Sequence, residues 1–189
     1  YAVSPGTNTN YTVTGTAVNG CTASAVQQVS VNVSPVITIT PSSTVICSGK
    51  SATLNATGAN TYTWSAGPLM ASYVVSPSAT SIYTVIGTTA VSGCTDMAVM
   101  SISVNSTPTI SISPSSTVLC LGKTAILTGL GGDTYVWSGG PTTATYAASP
   151  AVTTIFTLTG TTAASGCTNT AVQTISVNAL TAINISPAA

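Results

Sequence analysis

The chain repeats itself. The stretch Tyr83-Thr-Val-Ile-Gly-Thr-Thr-Ala-Val-Ser-Gly-Cys94 has an earlier copy at Tyr11–Cys21 and a later one at Phe156–Cys167. Cys21, Cys94 and Cys167 are each 73 residues apart, and so are Cys47 and Cys120, Trp64 and Trp137, and the prolines Pro41, Pro114 and Pro187. Tyr11 to Tyr83 is 72, so the first copy is one residue shorter in its Gly15–Gly20 turn, where a deletion is best tolerated. A fixed period restricts the fold to an array of one structural unit. A unit of 73 residues is large enough for a small core of its own, unlike a solenoid repeat. The frame predicts the C-terminal part of a repeat (strands E to G) over 1–33 and full repeats over 34–106 and 107–179. The first strand of another repeat follows over 180–189. The linkers at Asn32–Pro35, Asn105–Pro108 and Asn178–Thr181 are short, so neighbouring beads are expected to hold a restricted angle. The two partial ends together fall 30 residues short of a unit and lack strands B and C. The expectation is therefore a segment of a longer polypeptide, with strand donation between subunits left open.

Within one repeat, period-two alternation predicts strands and no helix. Strand A is read over Val36–Thr40, with Ile37 and Ile39 on one face. Pro41 then kinks the chain before a second half-strand, Thr44–Cys47. Strand B (Ser51–Thr57) turns Ala52, Leu54 and Ala56 inward, and strand C (Thr61–Ser65) does the same with Tyr62 and Trp64. Strands E (Ser72–Ser76), F (Ile82–Gly87) and G (Thr95–Asn105) follow. Polar residues on the opposite faces of A, B and C fit two antiparallel sheets packed as a sandwich.

Charge decides what such a fold can do. Lys50, Lys123, Asp96 and Asp133 are the only charged side chains, and the chain has no His. Globular domains usually carry about 25% charged residues, whereas this one carries 2%. Its 26 Ser and 37 Thr fill a third of the sequence, so the surface is hydroxyl and amide. Nucleic-acid binding is excluded, since two lysines cannot neutralise a run of phosphates. Electrostatic membrane anchoring fails for the same reason, and no apolar run reaches the length of a spanning helix. General acid–base and nucleophilic catalysis need a His, paired carboxylates or an activating base; no enzyme and no cofactor are expected. Two aspartates do not make a calcium cage. With 44% hydrophobic residues the chain is too apolar for a disordered one.

The segment Ile110-Ser-Ile-Ser-Pro-Ser-Ser-Thr-Val-Leu-Cys-Leu-Gly-Lys-Thr-Ala-Ile-Leu-Thr128, followed by Tyr135-Val-Trp137, Phe156–Gly160 and Gly166-Cys167, resembles bacterial immunoglobulin-like repeats. The pattern is closest to the cysteine-containing, Thr-rich repeats of giant surface proteins in gliding and related Bacteroidetes-type bacteria. The resemblance spans essentially the whole chain. It implies tandem immunoglobulin-like β-sandwiches in a beaded, rod-like array, export (often by the type IX route), an extracellular or cell-surface location, and structural or adhesive work. It implies no catalytic residues. Neighbouring copies of the same repeat are the expected partners, with surface glycans as a further class.

Five cysteines at fixed spacing in a Ser/Thr-rich chain read as disulfides in an oxidising compartment. The simplest pairing lies within repeats, Cys47–Cys94 and Cys120–Cys167, with Cys21 pairing outside the chain or between repeats. In an ordinary immunoglobulin sandwich, however, the A–B and F–G turns lie at opposite ends, beyond disulfide reach. Two alternatives meet that objection, Cys47–Cys167 and Cys94–Cys120. A metal site is not expected, because a repeat holds no third ligand.

Other residues invite sharper readings. Trp64 and Trp137, each two positions after a tyrosine, read as core aromatics, or as a sugar-stacking platform if exposed. Lys50 approaches Asp96, and Lys123 approaches Asn169, only if the cysteines pair within repeats. The Thr-Xaa-Thr runs at Thr12–Thr14 and Thr157–Thr159 resemble ice-binding ladders, but strand propensity alone accounts for them. The sequons at Asn10, Asn55 and Asn105 matter only in a host with that glycosylation pathway.

Overall fold

A computed structural model describes residues 1–179; the expected strand at 180–189 and Pro187 lie outside the described residues. The described residues are all-β, with sixteen strands and no helix. They form two compact units. One comprises Tyr1–Ser42, Ala52–Val75 and Ile82–Ser101; the other comprises Ser43–Ser51, Ser76–Ser81 and the chain from Ile102 onward.

In chain order the first nine strands are β1 (Thr9–Thr16), β2 (Thr22–Val29), β3 (Thr38–Pro41), β4 (Val45–Cys47), β5 (Ala52–Thr57), β6 (Thr61–Trp64), β7 (Ser72–Val75), β8 (Ser81–Thr88) and β9 (Thr95–Asn105). β1 and β2 make a two-stranded antiparallel hairpin with Gly15 opposite Ala23. The others form a three-stranded sheet, β3-β5-β7, and a four-stranded sheet, β4-β9-β8-β6. Seven further strands follow: β10 (Ser111–Pro114), β11 (Val118–Cys120), β12 (Ala125–Leu130), β13 (Thr134–Trp137), β14 (Thr145–Ala148), β15 (Thr154–Thr161) and β16 (Thr168–Asn178). They make sheets of the same two orders, β10-β12-β14 and β11-β16-β15-β13. Register is kept as well as order. Ile39 opposite Ala56 becomes Ile112 opposite Gly129, and Trp64 opposite Val85 becomes Trp137 opposite Leu158.

Alternation explains the core. In β12, Ala125 and Leu127 turn inward while Ile126 faces out. In the second unit a single apolar cluster takes Leu127 and Ala148 from the three-stranded sheet and Leu119, Trp137, Leu158 and Ile175 from the four-stranded one. Two sheets sharing one core from their inner faces is the sandwich arrangement. Trp137 stacks on Tyr146 at 5.7 Å between ring centroids, and Tyr146 meets Phe156 edge-on at 5.6 Å. Trp64, Tyr73 and Tyr83 make the same chain of rings at 5.6 and 5.9 Å.

Pro114 marks where the chain changes sheets. Proline donates no ladder hydrogen bond, so β10 ends there. Ser116 Oγ then donates to the Val118 carbonyl at 2.7 Å, turning the chain into β11. β11 runs parallel to the far end of β16, with Cys120 opposite Asn178. Pro41 and Ser43 do the same between β3 and β4, which places Cys47 opposite Asn105. The expected kink after strand A is thus a switch between sheets.

Gly131 holds φ +92°, and a Cβ there would run into the backbone carbonyl of Thr109. Gly58 stands in the same relation to Val36 at φ +104°. Gly131→Ala is expected to lower unfolding stability by about 1–3 kcal/mol, since both the left-handed backbone and the carbonyl oppose a side chain. Chemical denaturation checks this; an unchanged midpoint would refute the close approach.

Candidate cross-linking site

Cys47 and Cys167 form a disulfide, with S–S 2.01 Å, Cα–Cα 5.7 Å and a sequence separation of 120. The bond joins the copy over 34–106 to the copy over 107–179. Cys21, Cys94 and Cys120 carry free thiols. The within-repeat pairs Cys47–Cys94 and Cys120–Cys167 are therefore corrected, as is the expectation that Cys94 and Cys120 belong to bonds inside this chain. Cys94 and Cys120 do not join each other either.

Strand direction is the physical reason. Cys120 lies opposite Asn178, the last residue of β16, whereas Cys167 immediately precedes Thr168, the first. Eleven residues at about 3.3 Å each separate those ends by about 35 Å. A disulfide needs Cα atoms within about 7 Å. Cys47, opposite Asn105 at the end of β9, and Cys94, before its start, are separated in the same way.

Both halves of the bond sit on repeated local scaffolds. Cys47 closes β4 and its carbonyl accepts the Lys50 N–H at 3.0 Å; Cys120 closes β11 and accepts the Lys123 N–H at 3.0 Å. On the other side, the Cys167 carbonyl accepts the Thr162 N–H at 2.9 Å, and its N–H donates to Ser165 Oγ at 3.3 Å. Cys94 has the equivalent partners, Thr89 N–H at 3.0 Å and Ser92 Oγ at 3.3 Å. Cys21 has them too, with Ala17 N–H at 2.8 Å and Asn19 Oδ1 at 3.2 Å. The bonded Cys167 is fully buried, whereas Cys21 and Cys120 are exposed.

The other singled-out residues are placed as follows. Trp64 and Trp137 are each only 2% exposed, and their indole N–H groups donate to the carbonyls of Met70 and Thr143 at 2.9 and 3.0 Å. They are core, and neither offers a face to a sugar. Lys50, Lys123 and Asp96 are exposed. Asp96 caps the Met97 N–H at 2.8 Å, and Asp133 Oδ2 accepts the Ala163 N–H at 2.7 Å, a role Asn60 takes for Ala90 at 2.9 Å. Asn169 donates through Nδ2 to the Pro108 carbonyl at 3.0 Å, a contact sequence reasoning did not find. Among the described residues no group of three His, Cys, Asp or Glu could hold a metal ion, and no helix is long and apolar enough to cross a membrane. No protein-family model and no curated protein matches the chain.

Proposed function

We propose that this chain is a structural repeat segment of a long extracellular filament, stalk or adhesin shaft, built from immunoglobulin-like sandwiches in tandem. The observation that carries this reading is the Cys47–Cys167 bond, which ties one sequence copy covalently to the next. A link between copies resists extension of the array, a purpose a ligand-binding module does not need. Disulfides persist in oxidising compartments, in keeping with a location outside the cell or on its surface. The chain does no catalysis in this reading. Its only carboxylate side chains, Asp96 and Asp133, each cap a local backbone N–H rather than face one another.

The outer face of β15 and β16 supports a role in lateral contact. Thr157 lies opposite Val172, Ile155 opposite Thr174 and Thr159 opposite Thr170, an uncharged ladder of β-branched side chains. With almost no charge to repel or to screen, such shafts associate side by side. Negative-stain microscopy of the native material is expected to show beaded rods whose bundles survive about 1 M salt. Compact particles would end the shaft reading, and bundles that separate in salt would end the account of their cohesion.

A further inference from the structure

We propose that Cys120 and Cys21 are the two open halves of the same cross-link, and that a second copy of the chain placed head to tail closes it. This deepens the shaft reading and rests on it. Three observations converge. The bond that exists joins the residue closing β4 to the Gly-Cys that follows a β-hairpin turn one copy later. Cys120 is the residue of the first kind left unbonded, on the same backbone scaffold as Cys47 and open to solvent. Cys21 is of the second kind, with the hydrogen-bond partners that hold Cys167, and it too is open.

The third observation selects Cys21 over Cys94 as the partner. In the two full copies a glycine in the hairpin strand seats an isoleucine: Ile37 lies over Gly87 and Ile110 over Gly160. Gly15 is the matching glycine of the β1–β2 hairpin, and nothing lies within 4 Å of the position a Cβ would take there. That seat is empty, and Val13 beside it is 68% exposed, although its counterparts Val85 and Leu158 are fully buried. The sequence following β16 reads Ala182-Ile183-Asn184-Ile185, the pattern of Thr109-Ile110-Ser111-Ile112 shifted by 73. Ile183 of a donor copy therefore matches the open seat at Gly15 of an acceptor. The same placement brings the donor's Cys120 to the acceptor's Cys21 in the relation Cys47 has to Cys167. The seat at Gly87 beside Cys94 is already taken by Ile37.

The joint holds no counterparts of β5 and β6, so the covalent bond rather than packing keeps it closed. Its chemistry is thiol–disulfide exchange with a small-molecule disulfide such as oxidised glutathione. The Cys120 thiolate attacks one glutathione sulfur and releases one glutathione thiol. The Cys21 thiolate then attacks the mixed disulfide at the Cys120 sulfur and releases the second. Two protein thiols become one disulfide, and one glutathione disulfide becomes two thiols.

The test is peptide mapping by non-reducing mass spectrometry after the purified chain is incubated with oxidised glutathione, beside non-reducing gels. The expected map holds Cys47–Cys167 within the chain and Cys120–Cys21 as the dominant link between chains, on a ladder that reductant collapses to monomer. Cys120→Ser and Cys21→Ser each abolish the ladder, Cys94→Ser leaves it, and Gly15→Ile, which fills the seat, lowers it several-fold. Cys120–Cys94 or Cys120–Cys120 as the main link, or glutathione caps alone, overturn the joint while the intact Cys47–Cys167 pair keeps the shaft reading. A map joining Cys47 to Cys94 overturns both.

Discussion

Reduction of the Cys47–Cys167 bond is expected to lower the unfolding free energy by about 5 kcal/mol. The bond closes a loop of 120 residues, and releasing a loop of that length returns about 5 kcal/mol of chain entropy to the unfolded state. Cys47→Ser, Cys167→Ser and the double variant should show the same loss, because each removes one and the same bond. Cys167 is fully buried, so a serine there adds the cost of burying a hydroxyl, about 1–3 kcal/mol if it finds no partner. Cys94→Ser should stay within about 0.5 kcal/mol, as an exchange at a half-buried, unbonded thiol. Urea melts with and without reductant check this. Coincident midpoints would show that the bond is absent in solution or does not constrain the unfolded chain.

Trp137→Ala is expected to cost about 3–5 kcal/mol. The indole fills the second unit's core, holds Tyr146 through a ring contact and satisfies its N–H on the Thr143 carbonyl. Truncation leaves a cavity between two sheets that cannot close on it, and it orphans a buried carbonyl. Val13→Ala is the informative comparison. Val13 matches Val85 and Leu158 in sequence, yet it should cost under about 0.5 kcal/mol, because most of its surface already faces water. Thermal melts followed by circular dichroism measure both. Equal losses for the two variants would refute the core assignment.

These predictions mark where local pattern is informative. Strand G was expected over Thr95–Asn105 and β9 spans those residues, because eleven alternating side chains leave no other period. Ala52, Leu54 and Ala56 were expected inward and are buried for the same reason. Strand A is the less legible element. Regular pairing begins at Thr38 and takes in Pro41, though Ile37 is buried as expected. A proline at an edge costs no ladder bond when its missing N–H would have faced away, and one residue's context does not reveal that.

The sequence by itself determined the period of 73, the all-β class, the inward faces of the strands and the near absence of charge. Each is written in residue types and their spacing along the chain. Only the tertiary structure decided the cysteine pairing and the exposure of the β1–β2 hairpin. The pairing depends on which end of β16 the short parallel strand β11 meets, a long-range choice that leaves Cys120 about 35 Å from the nearer cysteine in sequence. The exposure depends on whether other strands cover a face. Gly15, Gly87 and Gly160 are the same residue in the same motif, and only the presence or absence of an isoleucine above them distinguishes a filled seat from an open one.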